Sequence, residues 1–135
     1  MKIEIIPCLN DNYSYLIHDE ISNTVAIVDP SEFMPCEKII SKNYQKLDFI
    51  LNTHHHYDHV GGNEELKKKY NSKVLGFEND KNRIPQIDTV LKDNQEFKIG
   101  TLNFTTIFIP GHTRGHVAFY FKKERVVFSG DTLFS

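Results

Sequence analysis

The sequence predicts an α/β or α+β sandwich, in which short strands form sheets and a few helices pack against them. Short apolar runs recur along the chain and end at proline, glycine, asparagine or aspartate, as strands do. Only two segments have apolar residues at helical spacing. Six of the seven histidines fall in two loops, and each loop directly follows an apolar run. These observations favour strands whose ends bring polar side chains together.

The first half of the chain is predicted to alternate between strands and helices. Strands are expected over three ranges, residues 2–6, 13–18 and 24–28. Residues 19–23 are polar enough to form a hairpin turn between the last two. A helix is predicted over 32–44, where apolar side chains recur along one face. A short strand over 47–52 leads into the first histidine loop, and residues 63–70 suit a short amphipathic helix.

The second half is predicted to be mostly β. Strands are expected over five ranges, residues 73–77, 96–99, 102–109, 116–121 and 125–129. Residues 122–124 give the last two strands a compact hairpin connection. The polar segment 79–93 contains Pro85 and receives no assignment.

Length, composition and charge favour a single globular domain and argue against nucleic-acid and membrane partners. A chain of 135 residues is expected to be one domain, and 39% hydrophobic with 25% charged residues is ordinary for a globular protein. The net charge of −2 and the short lysine runs argue against a nucleic-acid partner. No apolar stretch reaches membrane-spanning length, and the N-terminal residues have the pattern of neither a signal peptide nor a transit peptide. We therefore expect no membrane partner and a cytoplasmic location.

The two cysteines, Cys8 and Cys36, lack the spacing of a zinc site and are too few for a disulfide framework. Either could bind a metal in principle. We expect both to be small apolar side chains of the core, in a protein from a reducing compartment.

The loop over residues 53–59 has the strongest functional pattern in the chain. Four of its residues fit His-x-His-x-Asp-His, namely His54, His56, Asp58 and His59. Imidazole nitrogens and carboxylate oxygens suit zinc, iron or manganese. A histidine tag or a low-complexity metal-scavenging tract is the alternative explanation. This run is internal, is interrupted by Tyr57 and follows an apolar strand, so we predict a metal site.

The spacing within this loop predicts how the ligands divide. Residues two apart in an extended segment project to the same side, so His54 and His56 are expected to bind one metal together. His55 then projects to the opposite side, where we expect a structural or supporting role. Asp58 and His59 lie where the chain turns toward the following helix, and they can reach a neighbouring metal.

Further ligands are expected at the ends of two later strands. His112 and His116 follow the strand over 102–109, and Asp131 follows the strand over 125–129, with glycines nearby that let the backbone turn. Taken alone, these residues could be ordinary turn histidines and a helix N-cap. Asp131 has two carboxylate oxygens, however, and such a group naturally bridges two metal ions.

Asp29 also ends a strand, and we predict that its carboxylate holds a ligand histidine in one tautomer. A turn aspartate before Pro30 explains its position equally well. Thr53 is in a similar position and is assigned the same supporting role.

Several short motifs together resemble the metallo-β-lactamase superfamily. They are the loop over 53–59, Gly-His-Thr at 111–113 and Gly-Asp-Thr at 130–132. Within the superfamily the sequence resembles glyoxalase II, the hydroxyacylglutathione hydrolases. The motifs that show this are Asp-Asn-Tyr at 11–13, Val-Asp-Pro at 28–30, Val-Gly-Gly-Asn at 60–63 and Gly-Asp-Thr-Leu-Phe at 130–134. The similarity extends over residues 1–134.

The resemblance implies a fold and a ligand set. The fold is an αββα sandwich with the site at one edge of its two sheets. The ligands of the first metal would be His54, His56 and His112. Those of the second would be Asp58 and His59, with Asp131 bridging both. The two divalent ions of the family are usually zinc, with iron and manganese also found.

The implied reaction is hydrolysis of S-D-lactoylglutathione to D-lactate and glutathione, which serves methylglyoxal detoxification. A hydroxide held between the two metals would attack the thioester, and Asp58 would orient it while serving as a ligand. Thiolate is a good leaving group, so no strong general acid is needed. The sequence has neither a Gly-x-Ser-x-Gly motif nor a nucleophilic cysteine motif, which argues against a covalent acyl-enzyme.

The sequence departs from glyoxalase II in its length. Family members continue further, supply one more histidine to the second metal and end in a helical domain. Residues 1–135 are therefore expected to form a single, incomplete domain with its second half truncated, and the family's glutathione-binding residues have no counterpart here. Arg114 occupies a position where a small residue is expected. An exposed sheet edge and apolar face would favour association of copies into a homo-oligomer.

Two other functions stay open. One is a mononuclear-iron persulfide dioxygenase of the same superfamily, although His55 and the opening Asn-Tyr favour the hydrolase. The other is a non-catalytic metal-binding or assembly fragment, suggested by the early end of the sequence. Two bound ions per chain would support the hydrolase, one iron ion the dioxygenase, and no tightly held ion the fragment.

Overall fold

The computed structural model describes residues 1–9, 11–110, 116–130 and 133–134, and for Tyr57 and residues 133–134 it describes the backbone alone. Within these residues the predicted sandwich is confirmed, because eleven strands form two sheets and helices pack against one of them. No helix of the described ranges is long and apolar enough to cross a membrane.

The first sheet has six strands in the order β1-β2-β3-β4-β5-β6. They are β1 (Lys2–Cys8), β2 (Asn12–Asp19), β3 (Thr24–Val28), β4 (Phe49–Leu51), β5 (Lys73–Phe77) and β6 (Thr89–Leu91). β1, β2 and β3 pair antiparallel, whereas β3 to β6 pair in parallel. Val28 lies opposite Leu51 in the β3–β4 register. The C-terminal ends of the parallel strands therefore meet at one edge of the sheet.

The crossover connections of the parallel strands contain the helices. These are α1 (Phe33–Asn43), α2 (Tyr57–Val60) and α3 (Asn63–Tyr70), and a 3₁₀ turn covers Glu78–Asp80. α1 joins β3 to β4, and α2 and α3 lie between β4 and β5. Cys36, Ile40 and Leu66 pack from α1 and α3 onto the first sheet.

The second sheet is antiparallel and has the strand order β11-β10-β9-β8-β7. Its strands are β7 (Glu96–Ile99), β8 (Leu102–Phe108), β9 (Val117–Phe121), β10 (Val126–Phe128) and β11 (Leu133–Phe134).

The first sheet is buried on both faces because it lies between the helices and the second sheet. In β3 and β4, Ile27 and Ile50 pack toward the helices, and their neighbours Val28 and Leu51 pack toward the second sheet. Phenylalanines of the second sheet fill the space between the sheets, namely Phe104, Phe119, Phe121 and Phe128. Each such fully buried side chain contributes about 1.5–3 kcal/mol relative to an exposed one.

The predicted elements agree with the structure to within two residues, and four short elements were missed. They are α2, the 3₁₀ turn, β6 and β11, each too short for a periodic signal. β6 lies in the segment 79–93 that received no assignment, and the turn begins one residue before that segment. β1 extends two residues beyond its predicted end and includes Pro7. Proline has no backbone N–H, but β1 is an edge strand, so that N–H can be missing without the loss of a hydrogen bond to a neighbouring strand.

Candidate metal centre

The ends of strands from both sheets meet at one edge of the sandwich. Asp29 follows β3 and Thr53 lies two residues beyond β4, while His116 immediately precedes β9 and Gly130 lies two residues beyond β10. The backbone N–H of Val117 donates to the carbonyl oxygen of Thr53 at 2.8 Å, which joins the two sheets at this edge.

Asp29 is fully buried, and its carboxylate accepts three hydrogen bonds. Oδ1 accepts from the backbone N–H of Thr53 at 2.8 Å. Oδ2 accepts from the Thr53 hydroxyl at 2.5 Å and from Nδ1–H of His59 at 3.0 Å. The backbone of Asp29 has a φ of 51°, a left-handed conformation that aspartate adopts more readily than most residues. Asp29 therefore ties the end of β3 to the loop over residues 53–59.

These hydrogen bonds determine which imidazole nitrogens bear protons. The Thr53 hydroxyl donates its only hydrogen to Asp29, so it accepts from Nδ1–H of His54 at 2.9 Å. His59 also donates its Nδ1–H, in this case directly to Asp29. In both rings Nε2 is left with its lone pair, which is the form in which histidine binds a metal.

The histidines form a compact and largely dry cluster. His54 is 5% exposed and His59 is 2% exposed. The ring centroid of His54 lies 4.1 Å from that of His59 and 4.6 Å from those of His56 and His116. Burial lowers the pKa of His54 to about 4, Asp29 opposes this shift, and the neighbouring imidazole rings add to it. His54 is therefore neutral at pH 7 and ready to bind a cation.

Asp58 brings a carboxylate to the solvent side of this cluster. Its side chain is 47% exposed, and Oδ2 lies 3.6 Å from Nε2 of His59. Nδ2 of Asn12 donates to the same oxygen at 2.9 Å. Burial raises the pKa of Asp58, but the hydrogen bond from Asn12 and the nearby His59 outweigh it, so the pKa lies below its ordinary value. The ionised Oδ2 of Asp58 and the lone pair of His59 Nε2 thus lie close together, and a bound cation would stabilise this arrangement.

His56 stands at the start of α2, on the exposed side of the loop. His55 has a different environment, because its Nδ1 lies 3.1 Å from Oδ2 of Asp80 in the 3₁₀ turn. Asp80 is fully buried and also accepts from Arg83 at 3.3 Å. His55 is therefore bound to a neighbouring element, while the rings on either side of it lie in the cluster.

Three asparagines support the site, and sequence reasoning assigned a role to none of them. Asn12 holds Asp58 as described above. Asn52 donates to the carbonyl oxygen of His59 at 3.3 Å, and Asn63 at the start of α3 donates to Asn52 at 2.7 Å. Asn12 and Asn63 fall within motifs of the resemblance, which was the one signal that pointed to them. Asp80 had no such signal, since it lies in the unassigned polar segment.

Two of the predicted ligands, His112 and Asp131, lie outside the described residues. The turn that leads to Asp131 nevertheless reaches the cluster. A Cβ atom at Gly130 would lie 3.4 Å from Nε2 of His116 and 3.6 Å from Oγ1 of Thr53, and its φ of 99° favours glycine. His116 stacks on His54, and its Nε2 donates to the carbonyl oxygen of Ser129 at 3.2 Å.

The metal-binding atoms of Asp29, His54 and His59 all lie within 4.8 Å of one another, close enough to hold a metal ion. Asp29 already accepts three hydrogen bonds, however, and these fit a residue that orients the rings better than one that binds the ion. The donors that fit a divalent cation are then the imidazole nitrogens and the Asp58 carboxylate.

Residues 10–135 match the sequence model of the metallo-beta-lactamase superfamily. The chain belongs to this superfamily, which confirms the fold class predicted from the motifs. Membership implies a divalent-metal site, and the mutual proximity of Asp29, His54 and His59 is consistent with one at this edge of the sandwich.

The whole chain is similar to hydroxyacylglutathione hydrolases, as the motifs indicated. It is 52% identical to the enzyme of that name from Pelagibacter ubique and 46% identical to the one from Methylococcus capsulatus. All 135 residues are matched, and they cover 56% and 53% of these two proteins. The chain thus spans about half the length of the curated relatives it matches.

Solved structures agree on the fold. The BLEG-1 B3 metallo-beta-lactamase superposes with a TM-score of 0.80 at 26% identity, over 99% of this chain and 74% of that one. ETHE1 from Myxococcus xanthus gives a TM-score of 0.84 at 23% identity, over 100% of this chain and 59% of that one. At that identity the second likeness concerns the fold alone.

Proposed function

We propose that this chain is the metal-binding part of a thioester hydrolase that cleaves hydroxyacylglutathione thioesters, S-D-lactoylglutathione among them, to the hydroxy acid and glutathione. The similarity to hydroxyacylglutathione hydrolases at 52% and 46% identity supports the substrate class. The observation that carries the proposal is the convergence of Nε2 of His59 and the ionised Oδ2 of Asp58 at 3.6 Å, beside the neutral ring of His54.

The ligand set remains the one predicted from the sequence. We assign one divalent ion to His54, His56 and His112, a second to Asp58 and His59, and the bridge to Asp131. Imidazole and carboxylate donors suit zinc, which is our choice of metal, with iron and manganese as alternatives. When bound, the two ions would supply hydroxide near neutral pH and polarise the thioester carbonyl.

The protein's own side chains prepare this chemistry by fixing positions and protonation states. Asp29 holds the Nδ1 hydrogen of His59 directly and that of His54 through Thr53, so that Nε2 of each ring keeps its lone pair. Asn12 holds the Asp58 carboxylate beside His59, where it can accept a hydrogen bond from the attacking water and orient it. The departing thiolate is stable without a proton donor, which agrees with a site built from bases and metal ligands.

The test is hydrolysis of S-D-lactoylglutathione by the purified chain loaded with zinc, followed by the release of free thiol. We expect one thiol per thioester cleaved and two ions per chain by elemental analysis. His56→Ala and Asp131→Ala should abolish turnover. His18→Ala is the matched control, because His18 is the histidine outside the two loops and bonds to Asn23. A zinc-loaded chain that releases no thiol would overturn the proposal for this chain.

Zinc as the resident metal, a cytoplasmic location, the single incomplete domain and association of copies through the sheet edge stay predictions from the sequence. No observation on the described residues favours the dioxygenase or the non-catalytic fragment over the hydrolase, and the ion count distinguishes all three.

A further inference from the structure

Cys8 and Cys36 form a pair of thiols between the first sheet and α1. Cys8 ends β1 and is 2% exposed, and Cys36 lies in the first turn of α1 and is fully buried. Their Sγ atoms are 3.9 Å apart, and both side chains are free thiols. Neither has a part in the metal site described above.

The two thiols differ in acidity because of the hydrogen bond between them. The S–H of Cys36 donates to the sulfur of Cys8, which lowers the pKa of Cys8 against the opposing effect of burial. The same hydrogen bond raises the pKa of Cys36, and its deeper burial adds to the effect. Since the thiolate is the nucleophilic form, Cys8 is the reactive member of the pair and Cys36 is placed to respond to it.

We propose that Cys8 and Cys36 are a redox-sensitive pair that small hydroperoxides convert into an intramolecular disulfide. The Cys8 thiolate attacks one oxygen of hydrogen peroxide, the O–O bond breaks, and the departing hydroxide takes up a proton to become water. Cys36 then attacks the sulfur of the Cys8 sulfenic acid, and the S–O bond breaks with release of a second water. The two sulfurs lose two electrons in all, and the peroxide gains two.

The geometry allows this closure with a modest movement. A disulfide bond is about 2.05 Å long, so the sulfurs must approach by roughly 2 Å. Cys8 is at the end of an edge strand, and the next residue, Leu9, is exposed and has a φ of 50°. Peroxide is a small molecule, and the Cys8 end of the pair is the one that lies beside the surface.

Ser14 connects the pair to the metal site. Its Oγ lies 3.4 Å from Sγ of Cys8 and donates to the carbonyl oxygen of Asp29 at 2.7 Å. Ser14 thus lies between the Cys8 sulfur and Asp29, and the disulfide would draw that sulfur away from Ser14. Cys8 also pairs with Asn12 in the β1–β2 register, and Asn12 holds Asp58. Movement of Cys8 toward α1 therefore acts on both aspartates of the site.

The chemical step is tested with hydrogen peroxide on the folded 135-residue chain, followed by denaturation, thiol counting and peptide mapping. We expect both thiols to disappear together, a peptide that links Cys8 to Cys36, and recovery of both thiols with dithiothreitol. Two thiols that persist in the folded chain, while the denatured chain reacts, would overturn the proposal. Disulfides formed only between chains would also overturn it.

Single variants test the assigned roles. In Cys36→Ser, whose hydroxyl keeps a donor for Cys8, dimedone should trap a sulfenic acid on Cys8. In Cys8→Ser, Cys36 should react at least about tenfold more slowly, as a buried thiol of raised pKa does. Equal rates in the two variants would contradict the assignment. Thermal unfolding of both variants verifies that they are folded.

The effect on the site is measured as zinc affinity, by competition with a chromophoric chelator, before and after peroxide treatment. We expect the disulfide to weaken zinc binding about tenfold, the scale on which outer groups influence a metal site. Cys36→Ser treated in the same way is the control for oxidation elsewhere and should keep its affinity. Unchanged affinity in the disulfide form would overturn the link through Ser14. Thiol counts do not depend on thioester cleavage, so a failure of the redox proposal can be distinguished from a failure of the proposed hydrolase function.

Discussion

Two buried aspartates lie at opposite ends of the same strand pair and have different roles. Asp19 ends β2, and Asp29 follows β3, its antiparallel partner. Both carboxylates are withdrawn from solvent and accept several hydrogen bonds. Asp19 nevertheless connects two turns at one end of the sandwich, whereas Asp29 lies at the candidate metal centre at the other end.

Asp19 holds together two turns that come from different sheets. Its Oδ2 accepts from the backbone N–H and the hydroxyl of Thr101 at 2.6 and 2.7 Å and from the Ser22 hydroxyl at 2.5 Å. Its Oδ1 accepts from the backbone N–H of Ile21 at 3.2 Å. Burial raises the pKa of Asp19, but these donors outweigh it and hold the pKa well below the ordinary value.

The two carboxylates differ in the residues that donate hydrogen bonds to them. The partners of Asp19 are backbone amides and hydroxyls of turn residues, whereas those of Asp29 include His59 and, through Thr53, His54. A buried, well-bonded carboxylate is therefore no marker of a functional site by itself. What indicates a metal site is an imidazole that donates one N–H to such a carboxylate and keeps the lone pair of its other nitrogen near further ligand atoms.

The largest expected effects come from truncating the two aspartates. Asp19→Ala and Asp29→Ala each leave several buried donors unsatisfied and should lower the free energy of unfolding by about 3–5 kcal/mol in urea titrations. Only Asp29→Ala should also weaken zinc binding, by about 10–100-fold, because the rings lose their orientation. Similar zinc affinities for the two variants would remove the distinction between the two ends.

Glycines at the two ends give a second pair of variants. Gly100 and Gly130 have φ values of 61° and 99°, so alanine is strained at both and should cost about 1–3 kcal/mol. A Cβ atom at Gly100 would also lie 2.2 Å from Ser22 Oγ and 2.6 Å from Asp19 Oδ2, so Gly100→Ala is expected to be the less stable variant. Gly130→Ala should be the one that lowers zinc content, measured by elemental analysis. Loss of zinc from Gly100→Ala alone would contradict this.

The two ends should respond to acid in different pH ranges. The pKa of His54 is about 4 in the folded chain, below the ordinary histidine value of 6.5, so the unfolded chain takes up this proton first as the pH falls. The metal-free chain should therefore be most stable above pH 6.5 and lose up to about 1.4 kcal/mol per pH unit through this group down to about pH 4. His54→Asn, which keeps a donor for Thr53, should show a smaller loss in urea titrations over that range. Equal slopes would contradict the prediction.

Asp19 should act at lower pH. Its folded pKa is depressed, so its contribution is complete above the ordinary value of 3.8 and is lost as the pH falls below that value. Asp19→Asn should be less stable at neutral pH and should lack this loss, as measured by thermal unfolding of the metal-free chain between pH 4 and pH 2. If the stability of the wild-type chain changed with pH in parallel with that of Asp19→Asn, the turn contacts would not be lowering the pKa of Asp19.

The smallest expected effect is that of Asp80→Asn. The change weakens the hold on His55 and should destabilise the chain by about 1 kcal/mol, with a loss of zinc affinity smaller than that of Asp29→Ala. Glu78→Gln in the same 3₁₀ turn is the matched control. An effect of Glu78→Gln as large as that of Asp80→Asn would show that the turn, and not the contact with His55, is responsible.

Much of the fold follows from local pattern. Runs such as residues 24–28 and 102–109 are bounded by turn residues and have strand composition, and the structure has β3 over Thr24–Val28 and β8 over Leu102–Phe108. β6 has three residues, and its existence depends on pairing with β5, so no local pattern could reveal it. Parallel pairing of β3, β4 and β5 is also non-local, and it was not predicted.

The candidate site was predictable to the extent that its residues are contiguous. His54, His56, Asp58 and His59 share one loop, so their spacing alone indicated a metal site. Asn12 and Asp80 reach that loop from 46 and 25 residues away in sequence, and an isolated asparagine or aspartate has no distinguishing pattern. Asp29 was singled out because it ends a strand, but the sequence did not reveal its hydrogen bonds to Thr53 and His59, because these partners lie 24 and 30 residues away.

The β3–β4 register determines where this chain tolerates changes of length. Asp29 reaches Thr53 only because Val28 lies opposite Leu51. One residue added between β4 and His54 would turn the following side chains to the other face and displace every imidazole from its carboxylate. One residue added in the surface loop between α1 and β4 leaves that alignment intact. Natural variation in length should therefore be confined to the loop, and the junction before His54 should keep a constant number of residues.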